Sequence, residues 1–439
     1  MKKFLITFLS LILCLGVLAA CGEKKEEIAK KAPVSQFKAP GFEKSTLKNQ
    51  VSWEGINQFK TTTELAKLYE TDKDAAIKEA RKTVVDFFCY AKTATWIPAD
   101  NWDFTHHDDG SGPDSMIAGQ VYGGLPYVGL ASSAIYRLMD FIDEETGVVD
   151  IYTAGGKDHE FQKMFGNQCA NGAYQGYSRA INSANYGGTP RMVVSRGFIP
   201  VGDYTYPDYL NSWTEDYNTK AVCAENGDQT IYESYAKLQP GDGIVNFTTA
   251  GHVIMIAGEP NVVRTEDGAI DPNKSTIMVV DQAVQFVAYQ HPDGGDQCQI
   301  AKNAAHESKF ISLFGGGYLP FTFKEWLGED PIEKPETKFA HEGDTFSLSK
   351  LYNTKITSNY HIYDIYAEIY DAAGNEVVKL MTHNDGASCY TLSFQRGGMQ
   401  ATIWGDPNKL DLSKEHTIKI YAQLGTGERP TLYEGKLVP

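Results

Sequence analysis

Leu238-Gln239-Pro240-Gly241-Asp242-Gly243-Ile244-Val245-Asn246-Phe247, followed shortly by Gly251-His252-Val253-Ile254-Met255-Ile256, reads as two strands joined by a turn. Both runs are short, apolar and bounded by Gly, Pro or Asp, the pattern of a meander. Thr276 to Val280 supplies a third such run, and Asp281 ends it. Strands are therefore expected over Gly243–Phe247, His252–Ala257 and Thr276–Val280. Some eighty positions upstream, Gly166-Asn167-Gln168-Cys169-Ala170-Asn171-Gly172 is a polar turn that delivers a cysteine into the first turn of a helix. That helix is expected to run to about Ser183, with Ala173, Tyr177, Ala180 and Ile181 on one face.

A thiol is a poor nucleophile until it ionises. Helix N-terminal NH groups and a nearby cation stabilise the thiolate, lowering its pKa from about 8.5. A helix-borne thiol, a strand-borne imidazole and a third polar group that orients the ring are together the parts of a nucleophilic site. Each part has a plainer reading. A lone cysteine is most often a small buried apolar residue, His252 a satisfied histidine, and Asp281 a strand-end residue bonding a turn.

Together the segments resemble the NlpC/P60 and CHAP superfamily of papain-like cell-wall cysteine hydrolases. There a Pro-Gly-Asp turn leads into a strand, a Gly-His-Val motif supplies the catalytic histidine, and the next strand carries the third residue. This chain has Pro240-Gly241-Asp242, Gly251-His252-Val253 and Val279-Val280-Asp281. Gln168-Cys169 looks like the Gln-Cys of CHAP domains. Tyr122-Gly123-Gly124-Leu125-Pro126-Tyr127 is similar to the Gly-x-Pro-Tyr segment before the nucleophile in NlpC/P60 proteins, where the tyrosine helps shape the oxyanion side. The resemblance spans roughly Gly119 to Gln282. It implies catalytic Cys169, His252 and Asp281, with Tyr127 and Gln168 on the oxyanion or substrate side, and neither metal nor organic cofactor. The chain departs from the pattern where Cys169 is followed by Ala-Asn in place of Ser-Gly, in the long gap from Tyr127 to Cys169, and where Asp281 replaces the commoner His or Asn.

The N-terminus bears on location. Lys2 and Lys3 precede an apolar run from Phe4 to Ala20 that is short for a spanning helix. It ends in Leu18-Ala19-Ala20-Cys21, which resembles a lipoprotein lipobox. The expectation is a signal peptide over residues 1–20, lipidation of Cys21, a polar tether over residues 21–50, and a chain held by lipid on the extracytoplasmic face of a membrane. Loss of Lys2 and Lys3 with the leader takes the formal charge from −16 to −18, which argues against nucleic acid and other polyanions as partners.

Order is expected from Val51. Thr63 to Tyr90 reads as helix broken at Thr71-Asp72, with Ala76, Ala80, Val84, Phe87 and Phe88 on one side. Another helix is expected over Gly129 to Phe141. After Trp326 the charged linker Pro331 to Pro335 precedes alternating segments such as Tyr363, Ile365, Ala367 and Ile369, which suggest a β-sandwich of immunoglobulin-like composition. The expected class is α+β: a papain-like domain over residues 51–330, helices packed on an antiparallel sheet, then an all-β sandwich over residues 336–439.

Other signals are weak. Thr105-His106-His107-Asp108-Asp109 lies on an irregular stretch, Asp293-Gly294-Gly295-Asp296 lacks calcium-loop alternation, and Gly315-Gly316-Gly317 reads as a bend. No CxxC pair exists, and a bridge such as Cys223 with Cys298 is left open. Trp96, Trp102, Tyr204, Tyr206, Tyr209 and Trp213 line a groove or pack. The expected activity is a cysteine amidase or endopeptidase acting on peptidoglycan stem peptides or related envelope peptides. The rival is an inactive lipid-anchored binding or adhesion protein that holds glycan or peptide in the cleft.

Overall fold

After a short helix over Trp53–Asn57, Thr61 opens the next one with a capping box: its side chain accepts the Glu64 NH and the Glu64 carboxylate accepts the Thr61 NH. Helix α1, Thr62–Thr71, stops at Asp72, whose carboxylate caps helix α2, Lys73–Thr93, by accepting the Ala75 NH at 3.0 Å. The break expected at Thr71-Asp72 is therefore a shared boundary of two capped helices. The face of α2 that carries Ala76, Ala80, Val84, Phe87 and Phe88 is buried, and Lys92 extends the stripe.

These features come from a computed structural model that describes residues 41, 43–103, 115–128, 134–150, 165–182, 198–206, 218–248, 251–283, 286–290, 297–301, 305–383, 389–394 and 400–439. The expected leader, Cys21, the stretch Thr105–Asp109, the turn Asp293–Asp296, Tyr209 and Trp213 lie outside them. The described residues fall within one compact unit, Gln36–Pro439.

Helix α3, Cys169–Tyr177, begins at the expected cysteine and is shorter than expected. It ends in turns, where Arg179 and Ala180 donate to the carbonyls of Gly176 and Tyr177 three residues back; the Arg179 carbonyl accepts the Thr62 hydroxyl, and the Arg179 guanidinium lies 4.4 Å from the ring centre of Phe87. The helix expected over Gly129–Phe141 is, in its described part, a 3-10 helix over Ile135–Asp140. There the Ile135 NH is drawn to the Gln175 side chain at 3.1 Å.

The expected strands form in a six-stranded antiparallel sheet. In chain order they are β1 Phe198–Pro200, β2 Gly243–Phe247, β3 Gly251–Ile256, β4 Thr276–Val280, β5 His306–Lys309 and β6 Leu319–Phe323, and across the sheet they run β5-β4-β3-β2-β6-β1. Asn246 stands directly opposite His252 in the β2–β3 register. Helix α3 packs on β3 so closely that a methyl group at Gly176 would come within 2.8 Å of the Met255 Cε.

Asp242 locks the turn into β2. Its carboxylate accepts the Gln239 NH at 2.8 Å, the Thr322 hydroxyl at 2.6 Å and the Arg81 guanidinium at 2.9 Å, so α2, the turn and β6 are tied at one buried point. Gly241 before it has φ +85°, which an L side chain rarely adopts. Asp242→Ala leaves Arg81 with one partner fewer in a buried place and is expected to cost about 3 kcal/mol in urea unfolding.

A second six-stranded sheet is mixed and short-stranded, and includes Thr95–Pro98, Tyr122–Gly123 and Val148–Val149. Trp96 and Trp102 are wholly buried around it, so they are packing residues. Ser45 already donates its NH to the Glu145 carbonyl at 2.8 Å, and Thr95 donates to Asn49. The chain is thus fixed to the fold from Ser45, several residues before Val51. Cys223 is a free thiol, as are Cys89 and Cys169, so no bridge joins Cys223 to Cys298.

Beyond Trp326 come β7 Thr345–Ser347, β8 Ile362–Asp371, β9 Glu376–His383, β10 Gln400–Trp404, β11 His416–Leu424 and β12 Thr431–Val438, in the spatial order β7-β12-β11-β8-β9-β10. A three-stranded sheet, Thr337–Phe339, Lys355–Ser358 and Thr391–Ser393, shares an apolar core with it through Ile356, Ile362 and Ile365. Among the described residues no strand after Pro335 pairs with an earlier one. The architecture is α+β, with helices and several sheets.

Candidate functional site

Three backbone elements converge where α3 meets the sheet. Gln168 is the N-cap of α3 and Cys169 its first helical residue. His252 is the second residue of β3, and Asp281 follows the last residue of the neighbouring β4. The register that pairs Val280 with Met255 carries Asp281 toward the His252 end of β3. The structure thus brings Cys169, His252 and Asp281 together.

Asp281 is 1 % exposed and its Oδ2 is hydrogen-bonded to His252 Nε2. On the other side the imidazole acts on the Cys169 sulfur as hydrogen-bond partner and as charge. The thiol also lies 3.8 Å from the Gly251 carbonyl. Cys169 is 4 % exposed, whereas the His252 side chain keeps 24 %, so the imidazole is the more open member of the pair.

Electrostatics favour charge separation. Burial pushes the Cys169 thiol up, but the hydrogen bond and charge of His252, with the backbone NH groups of Val253 and Ala170, bring it below the ordinary thiol value. Burial by itself would depress His252. The Asp281 carboxylate and the Cys169 sulfur outweigh burial and push the imidazole up to about 10. A thiolate beside an imidazolium that a carboxylate holds is the arrangement these shifts describe.

Tyr127 reaches the same place through its backbone. Tyr127 and Asn167 form a parallel bridge in which Val128 donates to the Asn167 carbonyl at 3.3 Å and Asn167 to Pro126 at 3.1 Å. The segment of Tyr127 therefore runs beside the turn that carries Gln168 and Cys169. This juxtaposition closes the long sequence gap between the two motifs.

Three neighbours of the site carry no motif. Tyr318 stands edge-on to His252 with ring centres 6.4 Å apart. Its phenol is pushed above its ordinary value by burial, then by the charges of Asp281 and Cys169. The Gly315-Gly316-Gly317 bend places it, with Gly317 at φ +71°. Gln282 packs against Gly172 of α3, where a methyl group would come within 2.6 Å of its Cβ, and it donates to the Leu125 carbonyl at 3.0 Å. Lys92, wholly buried at the end of α2, is hydrogen-bonded to the Gln282 side-chain oxygen. The sequence held one signal for it: Lys92 continues the buried Ala80, Val84, Phe88 series at a spacing of four.

Among the described residues no cluster of three or more His, Cys, Asp or Glu side chains is placed to hold a metal ion. No helix among them is long and apolar enough to cross a membrane. Compared with known proteins, the chain matches no family model and no curated sequence.

Proposed function

We propose that this protein is a cysteine amidase or endopeptidase with a papain-like domain, acting on peptidoglycan stem peptides or related envelope peptides. The observation that carries the reading is the meeting of a thiol at a helix N-terminus with an imidazole whose far nitrogen is bonded to a buried carboxylate. Cys169 attacks the amide carbonyl as thiolate. With Nε2 turned to Asp281, His252 Nδ1 is the nitrogen that gives a proton to the leaving amine, and the acyl group then passes from sulfur to water. The backbone NH of Cys169 and the Tyr127 side chain are the proposed donors to the oxyanion, with Gln168 on the substrate side.

The lipobox-like Leu18-Ala19-Ala20-Cys21 supports export and a lipid anchor on the extracytoplasmic face of a membrane. The C-terminal sheets, read as an immunoglobulin-like sandwich, support a spacing or targeting role along the wall. One observation favours the inactive binding reading instead, the 4 % exposure of Cys169. The test is incubation of the full chain with purified muropeptides, products being followed by mass spectrometry. Cleavage by the wild type and none by Cys169→Ala is the expected result. Intact muropeptides, with saturable binding, would leave the binding reading standing.

A further inference from the structure

We propose, on the basis of the hydrolase reading above, that Tyr318 is a substrate-binding residue of the site. Its hydroxyl donates a hydrogen bond to the carbonyl oxygen of the residue that departs with the leaving amine, and Asn246 is the positioning residue that holds it there through Gly316.

The glycine bend folds the tyrosine onto the site. Gly315 closes the short helix Phe310–Gly315, and Gly317, at φ +71°, turns the chain toward β6. Gly316 between them leaves room for the ring, because a methyl group there would come within 2.7 Å of the Tyr318 Cε2. The backbone of Tyr318 is fixed on both sides: its NH donates to the Leu313 carbonyl at 3.1 Å, and its carbonyl accepts the Tyr235 hydroxyl at 2.6 Å. The Gly316 carbonyl accepts the Asn246 side-chain NH at 3.1 Å. Asn246 is directly opposite His252, so the two side chains stand on the same face of the sheet. Among the described residues its carboxamide makes this bond alone, and its oxygen is buried without a partner, a destabilising arrangement that the tie to the bend offsets.

Tyr318 thereby reaches His252 from the β2–β6 side, while Asp281 holds the imidazole from β4. The two rings meet edge-on with centres 6.4 Å apart. Tyr318 is half-buried, and its hydroxyl makes no hydrogen bond among the described residues. In the proposed reaction His252 passes a proton to the leaving amine, so the residue that bears this amine lies against the imidazole and within reach of the phenol. A residue that leaves through its α-amine presents its own carbonyl oxygen close to that nitrogen. The phenol, which burial and neighbouring negative charge keep protonated, is the matching donor. A leaving amine without that carbonyl offers the hydroxyl nothing at this place.

The test compares a muropeptide that the wild-type full chain cleaves with the para-nitroanilide of the same acyl half, whose leaving amine has no such carbonyl. Tyr318→Phe keeps the ring, and it is expected to lower the ratio of kcat/KM for the muropeptide to that for the anilide about tenfold, the effect of one hydrogen bond. Asn246→Leu is expected to lower the ratio as far, and the double variant no further, since both substitutions act on one contact. Should Asn246→Leu fail to fold, Gly316→Ala, which pushes the ring aside, reads the same ratio. Iodoacetamide labelling of Cys169 is the control, and a rate in Tyr318→Phe like that of the wild type places the loss at the substrate. A labelling rate that falls with the ratio would mean that the tyrosine acts on the imidazole, which overturns the substrate contact. An additive double variant would overturn the role of Asn246. If the wild type cleaves no muropeptide, the hydrolase reading falls and this proposal with it; a cleaving wild type whose ratio Tyr318→Phe retains sinks the tyrosine alone.

Discussion

Near pH 6, Cys169 in the wild-type chain is expected to react with iodoacetamide on the order of a hundredfold faster than in His252→Ala. The wild-type sulfur lies under two opposed influences. Burial resists ionisation, and the imidazolium of His252 with two backbone NH groups overcomes it. His252→Ala removes the larger favourable part and leaves burial opposed only by Ala170 and Val253. The thiol then returns to its ordinary range or above it, where at pH 6 fewer than about one molecule in a hundred is thiolate. Asp281→Ala is expected to fall between the two, since the imidazole stays but loses the carboxylate that raises it. The measurement is the second-order rate for the Cys169 peptide, with Cys89 and Cys223 as internal controls. Burial pushes those two thiols up, to about 11 and about 12, so they should stay slow in every variant. Equal rates in wild type and His252→Ala would show that the imidazole does not ionise the sulfur.

The difference between what the sequence disclosed and what it withheld has a physical cause. Cys169, His252 and Asp281 each sit in a local frame that depends on near neighbours: a polar turn into a helix, a glycine before a strand, the end of an apolar run. Such frames are written in consecutive residues, and so the strands β2, β3 and β4 were legible almost to the residue. The surroundings of the end of α3 were not, because the Arg179 carbonyl just past it meets the Thr62 hydroxyl, more than a hundred positions away. Lys92 and Tyr318 belong to the same class. Neither lies in a motif, and their relevance arises only when α2 and the glycine bend are folded against β3 and β4. The relation of the C-terminal sheets to the rest was also hidden. Composition changes at Pro331–Pro335 and strand pairing changes with it, but packing does not. Tyr136 stacks on Phe87 and also meets Tyr363 of β8, so apolar contact runs across the boundary.

That continuity leads to the largest expected effect on stability. Arg137, 1 % exposed on the 3-10 helix, is bonded to Asp364 of β8 and to His383 of β9. Asp140, one turn on, accepts the Tyr366 hydroxyl at 2.7 Å and faces Lys379 at 3.4 Å. Removing one member of a buried pair leaves the other charge uncompensated, so Asp364→Ala is expected to cost about 3–5 kcal/mol. The loss should reach both sides of the boundary together, because the pair joins them. In hydrogen exchange the amides of α2 and α3 should lose protection along with those of β8 and β11. Loss confined to β8 and β11 would mean that the sheets unfold independently of the remainder. His361 at the same seam gives the pH dependence. Packed edge-on against Tyr174 of α3 and Tyr363, and accepting the Cys389 NH, it is wholly buried, and burial lowers it from 6.5 to about 3. The folded chain therefore binds fewer protons there than the unfolded chain, and this contribution to stability is lost as pH falls below 6.5 toward 3, by up to about 1.4 kcal/mol per pH unit. His361→Gln removes the titration while keeping a polar side chain, and it is expected to flatten the acid limb of the unfolding free energy. An acid limb unchanged by that substitution would place the acid sensitivity elsewhere than at this seam.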